Sequence, residues 1–141
     1  MSIVVFLLGA LRRFIFFHQL LDGAFSCALA SSGRAYCWAF ETSGVGQSPT
    51  LVSGDPTLVF MGTMVDASNF NYSSACGLSA AGDVYCIKAT GASPNYSYSL
   101  EAVNLGGLKL KRFSGTCGIG VDDKAYCWSY DRRTVRVVPG Q

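Results

Sequence analysis

Cys27-Ala-Leu-Ala-Ser-Ser-Gly-Arg-Ala-Tyr-Cys-Trp38 sets two thiols symmetrically about a Ser31-Ser32-Gly33 centre. Its flanks are rich in small and β-forming residues and carry no amphipathic helical spacing, so the stretch predicts a hairpin with a three-residue loop. Ala30 and Arg34 then flank the loop, and Cys27 lies opposite Cys37. Directly opposed residues of antiparallel strands stand about 4.5–5.5 Å apart at Cα, within reach of a disulfide.

The unit recurs. Phe25–Trp38 is matched by Ser74-Ala-Cys-Gly-Leu-Ser-Ala-Ala-Gly-Asp-Val-Tyr-Cys-Ile87 and by Gly115-Thr-Cys-Gly-Ile-Gly-Val-Asp-Asp-Lys-Ala-Tyr-Cys-Trp128, and the three copies hold all 6 cysteines. Gly33 and Gly82 sit where the loop wants a left-handed residue, and Asp123, their equivalent, tolerates that conformation better than most. The copies start 49 and then 41 residues apart, a period shared by propeller blades and some helical repeats, and the hairpin chemistry selects the former. Six cysteines allow fifteen pairings; repeat symmetry selects Cys27 with Cys37, Cys76 with Cys86, and Cys117 with Cys127. Buried free thiols are the alternative. Zinc is disfavoured, because nine intervening residues lack the close pairs of structural zinc sites and the chain has 1 histidine.

Working outward, 141 residues, half of them apolar, suffice to bury a core. Charged residues make up only 14%, low for a soluble domain, which suits an extracellular, membrane-adjacent or partner-covered surface. The net charge of +2 and the scattered basic pairs give no nucleic-acid footprint. The 16 glycines against 4 prolines point to many tight turns.

The start, MSIVVFLLGALRRFIFF, is apolar, but Arg12-Arg13 interrupts it before it reaches the length of a spanning helix. Its charge follows the apolar run instead of preceding it, unlike an ordinary secretory signal. Residues 1–19 therefore read as a buried strand or helix, with a degenerate signal or membrane anchor as the alternative. Residues 20–141 read as repeats spanning about 20–56, 57–105 and 106–141.

Cys-Ala-Leu, a glycine turn, Tyr-Cys-Trp and the following Gly44-Val-Gly-Gln-Ser-Pro49 together resemble the repeat of the regulator of chromosome condensation family. The likeness is to its cysteine-bearing version, found in exported bacterial proteins and some plant receptor-kinase ectodomains, and covers about Leu20–Val138. It implies four-stranded blades of a propeller, with Thr57–Phe60 and Lys109–Phe113 as further strands and Val135–Pro139 beginning or closing another blade. The chain departs from the family where Trp-Gly-x-Asn is expected after the second cysteine: Trp38-Ala39, Ile87-Lys88 and Trp128-Ser129 all lack the glycine. Three units are also fewer than the four that close a ring. The expected fold is all-β: about three blade-like antiparallel repeats in a partial or open propeller, with an apolar N-terminal segment.

Chemistry-bearing constellations are few. His18 reads as a structural histidine, and Asp122-Asp123 as turn residues in place of a catalytic carboxylate pair. Phosphate and dinucleotide fingerprints and a nucleophile elbow are absent from the sequence, and no cofactor is expected. Asn71-Tyr-Ser and Asn95-Tyr-Ser are glycosylation sequons. Tyr72, Tyr96, Tyr98 and Tyr130, in Ser/Asn-rich stretches that read as loops, form a candidate contact surface.

The function expected is a non-catalytic, exported protein-binding or scaffolding module, placed outside the cell or at its surface by its disulfides. Its partner is a protein, and open strand edges invite self-association. The alternatives are a membrane-tethered ectodomain fragment, touching the bilayer through residues 1–19, and an intracellular propeller fragment of nucleotide-exchange type.

Overall fold

The computed structural model describes residues 4–8, 13–21, 26–39, 48–66, 69–92 and 95–141. Every regular element among them is a strand, and the strands form three antiparallel sheets in which spatial order follows chain order. The first sheet holds β1 (Val4–Leu8), β2 (Arg13–Leu21), β3 (Ser26–Ala30), β4 (Ala35–Trp38) and β5 (Thr50–Leu51). The second holds β6 (Leu58–Asp66), β7 (Asn69–Ser79), β8 (Val84–Ala92) and β9 (Asn95–Ala102). The third holds β10 (Leu110–Ser114), β11 (Cys117–Gly120), β12 (Ala125–Trp128) and β13 (Val135–Val137). The sheets do not close into a ring, and the arrangement is consistent with blade-like repeats.

The hairpins have the pairing their spacing predicts, with the opposed Cα atoms closer than the ~4.5–5.5 Å expected. Cys27 pairs with Cys37, Cys76 with Cys86 and Cys117 with Cys127, both in strand register and as disulfides, with Cα separations of 4.1, 3.9 and 4.0 Å. In each turn the same two bonds recur: Ala30 N donates to Arg34 O and Gly33 N to Ala30 O, as Ser79 N does to Asp83 O and Gly82 N to Ser79 O, and Gly120 N to Lys124 O and Asp123 N to Gly120 O. The last loop residue is left-handed every time, with φ of 80° at Gly33, 85° at Gly82 and 68° at Asp123. By loop-closure entropy each disulfide stabilises its hairpin by about 2–3 kcal/mol.

Two further devices repeat. The first strand of every hairpin-bearing unit carries an irregularity at one equivalent step, between Phe17 and Gln19, Leu58 and Phe60, and Leu110 and Arg112. The extra residue lets Leu58 and Met61, three apart, face the same way, which an unbroken strand forbids. On the other side of the hairpin, Val52, Val103 and Val138 each donate to the carbonyl of Ala35, Val84 and Ala125 at 2.9 Å.

The sheets stack by one rule. The disulfide face of one sheet packs against the opposite face of the next. Cys27, Leu29, Ala35, Cys37 and Val52 of the first sheet are buried with Leu58, Met61, Ala75, Ile87 and Tyr98 of the second. Cys76, Leu78 and Val84 are in turn buried with Leu110, Phe113 and Trp128 of the third. The large residue after the second cysteine thus has a role in two of the hairpins: Ile87 and Trp128 plug the preceding sheet, while Trp38 is buried with Ala28 and Ala30 of its own. Burying a side chain of that size is worth about 1.5–3 kcal/mol.

Hydrogen bonds fix the stacking. Leu58 N donates to the turn carbonyl of Gly33 at 2.8 Å, and Leu110 N to that of Gly82 at 2.9 Å. The approach is so close that a Cβ at Gly33 would meet the Thr57 Cβ at 2.9 Å, and one at Gly82 the Leu110 carbonyl at 2.9 Å. A parallel bridge joins Met64 to Gly115 farther along, through Gly115 N to Thr63 O and Val65 N to Gly115 O. Arg132, left-handed in the β12–β13 turn, donates from Nη2 to Val65 O at 3.1 Å.

Of the forms expected for residues 1–19, the described part takes that of strands: β1 and β2 pair with each other, and β2, which runs on to Leu21, pairs with β3 and enters the first sheet. Two expectations need correction. Val135–Val137 does not open another blade but pairs with β12 as the fourth strand of the third sheet. Tyr96 and Tyr98 lie in a strand, not a loop: Tyr96, Tyr98 and Leu100 alternate with Asn95, Ser97 and Ser99 and turn toward the first sheet's core. No helix among the described residues is long and apolar enough to cross a membrane.

Gly82→Ala is expected to lower the unfolding free energy by about 1–3 kcal/mol, read from the urea midpoint, since it adds left-handed strain and a clash with Leu110. Gly107 also has positive φ, 82°, but a Cβ there would meet nothing within 4 Å, so Gly107→Ala should cost distinctly less. Equal losses would mean that the turn and the next strand do not meet.

Candidate functional site

Among the described residues, no sheet packs against the disulfide face of the third sheet. Its cross-strand rows are Ser114–Cys117–Cys127–Arg136 and Arg112–Ile119–Ala125, the latter continued by the bond from Val138 to Ala125. The equivalent positions in the second sheet are Gly62–Cys76–Cys86–Glu101 and Phe60–Leu78–Val84–Val103. Leu78 and Val84 are fully buried, whereas Ile119 and Ala125 are only half-buried and Val138 is 37% exposed. An apolar groove of about 350 Å³ runs here, bordered by Phe60, Ile119, Ala125, Val138 and the Cys117–Cys127 bridge.

Two arginines on this face differ from their counterparts in the other sheets. Arg112 stands where the second sheet has Phe60 and the first has Gln19; Arg136 stands where they have Glu101 and Thr50. Both arginines are exposed, and neither makes an ion pair among the described residues. The turn differs as well: Asp123 replaces Gly33 and Gly82 and forms an ion pair with Lys111. Lys109 and Asp83 pair at the base of the neighbouring turn.

The carboxylates singled out by sequence hold this turn. Asp122 Oδ2 accepts from the Tyr126 hydroxyl at 2.8 Å and Oδ1 from Lys124 N at 3.2 Å. The Tyr126 bond is the main cause that draws the Asp122 pKa below the ordinary carboxylate value, and the same bond chiefly raises that of Tyr126. Each side chain therefore stabilises the other's state over neutral pH.

The tyrosines with described side chains differ in exposure. Tyr72 falls in β7 and Tyr130 in the exposed β12–β13 turn. Tyr96 is half-buried against the first sheet, its ring 6.5 Å from that of Tyr98. Tyr98, at 3% exposure, belongs to the core, and its burial is the main cause of its raised pKa. It is withdrawn as a contact residue. Of the sequons, Asn95 is exposed at the start of β9 and Asn71 falls in β7. His18 falls in β2, and the Gly44-Val-Gly46 motif lies outside the described residues. Among the described residues no group of three His, Cys, Asp or Glu is placed to hold a metal ion.

Comparison of the chain with protein families, with curated proteins and with solved structures finds no match.

Two outcomes are expected. Cys27, Cys37 and Cys76 are at 0% exposure while Cys117 is exposed, so graded reduction with trapping should open Cys117–Cys127 first, because exchange requires access to sulfur. Simultaneous opening of all three would contradict the uncovered face. For the Asp122–Tyr126 pair the lowered Asp122 value gives stability above the ordinary carboxylate range that is lost as pH falls through it. The raised Tyr126 value gives stability below about pH 10 that is lost as pH rises. Asp122→Asn should flatten the acid limb of a stability–pH curve; an unchanged limb would contradict the bond.

Proposed function

We propose that this chain is a non-catalytic, exported protein-binding or scaffolding module made of blade-like repeats of the regulator of chromosome condensation type. The observation that carries the reading is the repetition itself: three disulfide-stapled hairpins, one turn geometry, one bulge position and one stacking rule. Fold alone does not choose a partner.

Export is supported by the disulfides, which are compatible with an oxidising compartment. Intracellular nucleotide exchange by a related propeller fits less well, since a reducing cytosol would remove all three staples. Propeller geometry is supported by β6 and β10, consecutive first strands that run parallel where Met64 bridges Gly115.

The thiol state of the chain in its native source tests export: three intra-hairpin bonds are expected, and six free thiols would overturn it. Binding is tested by passing purified ectodomains over the immobilised oxidised chain. Saturable binding to at least one, lost after reduction and alkylation, is expected; no binding across a broad panel would defeat the reading.

A further inference from the structure

We propose that Asn95 is an N-glycosylation site, modified during export and carrying its glycan outward from the β8–β9 hairpin. The inference rests on the export reading and adds to it a covalent site on the described surface.

The hairpin is long for its place in the repeat. In the third sheet the pair Trp128 and Val135 is the last, and Ser129 N donates to Thr134 O and Arg132 N to Ser129 O to close the connection. The corresponding pair of the second sheet, Ile87 and Leu100, is followed by five more, from Lys88–Ser99 to Ala92–Asn95. The second repeat thus has an arm that the third lacks, and the sequon Asn95-Tyr96-Ser97 lies at its far end.

Side chains alternate across a strand, so the arm has two faces. Ile87, Ala89, Tyr96, Tyr98 and Leu100 fall on one and pack into the core shared with the first sheet. Asn95 and Ser97 fall on the other, both exposed, beside the exposed Thr90 and Ala92. These small neighbours leave room for a bulky group. Gly91, left-handed at φ 97°, draws the two strands close at the tip, where a Cβ would meet the Asn95 carbonyl oxygen at 2.6 Å. The backbone of Asn95 is held there while its side chain stays at the surface.

An N-linked glycan is bulky and hydrated, so it belongs where it displaces no packing. The arm meets that condition. The sequon's carboxamide and hydroxyl share the outward side of the strand, and Tyr96 between them turns into the core. β9 is an edge strand that Ser53 bridges at Ser99; the sequon precedes that bridge, so a glycan on Asn95 stays clear of the contact between sheets. Transfer forms a bond from Asn95 Nδ2 to the anomeric carbon of the first sugar of a lipid pyrophosphate-linked oligosaccharide. It breaks that carbon's bond to the pyrophosphate oxygen, the lipid pyrophosphate leaves, and the carboxamide gives up one proton.

The experiment is secretion of the full chain from eukaryotic cells behind a cleavable leader. Occupied asparagines are mapped by peptide N-glycosidase in heavy-oxygen water, which converts them to labelled aspartate. Native chain, Asn71→Gln and Ser97→Thr should carry a glycan on Asn95 in most molecules, and Ser97→Ala and Asn95→Gln should lose it. An unoccupied Asn95 in the secreted native chain would overturn the proposal, as would occupancy confined to Asn71. Disulfide mapping of the same sample separates the two readings. Three hairpin disulfides with Asn95 unoccupied would remove the glycan and leave export standing. Six free thiols with Asn95 occupied would defeat the disulfide argument for export and uphold the site.

Discussion

The bond from one repeat's first strand to the preceding repeat's turn, Leu58 to Gly33 and Leu110 to Gly82, governs how the molecule is assembled. It pins the start of each new sheet to the tip of the last hairpin. Everything downstream then falls into register: Leu58 and Met61 reach the Cys27–Cys37 face, Leu110 and Phe113 the Cys76–Cys86 face. The disulfides hold each hairpin in shape but do not join sheets. Cohesion between sheets comes from apolar burial, aligned by a few directional bonds at the turns and at Gly115.

What the sequence made legible was local. Nine residues between cysteines, a glycine or aspartate at the left-handed position and Tyr-Cys followed by a large residue were enough for the hairpins and their pairing, because strand register follows from loop length. Strands at Thr57–Phe60 and Lys109–Phe113 were expected only through the likeness of the repeat, and the first of them runs on to Asp66. Less local features were hidden. The bulge after Leu58 breaks the two-residue alternation, so Leu58 and Met61 look out of phase until the extra residue is seen. Ser and Asn made Tyr96 and Tyr98 look like loop residues, although the alternation with Leu100 was there to be read. Arg12-Arg13 suggested an interruption where β2 begins.

The candidate surface was legible only in retrospect. A groove made of Ile119, Ala125 and Val138 reads as ordinary core when each residue is taken alone, and it is core in the two preceding repeats. Its exposure depends on what lies above it, which no local pattern records. The usable signal was a comparison between copies: Asp123 against Gly33 and Gly82, and Arg112 against Phe60. In a stacked array, the positions at which a repeat departs from its siblings mark where its surroundings differ.

Every strand in the three sheets pairs with its neighbour in the chain. Most contacts are therefore made between residues a few tens of positions apart, and the entropy lost in closing each one is small. Each hairpin can form as soon as it has been synthesised, with its two cysteines brought together by the turn alone. Oxidation need not wait for the finished array, since each thiol has its partner ten residues away and each pair can close before the cysteines of the next hairpin emerge. The meander thus favours one pairing of the fifteen by the order in which the chain emerges.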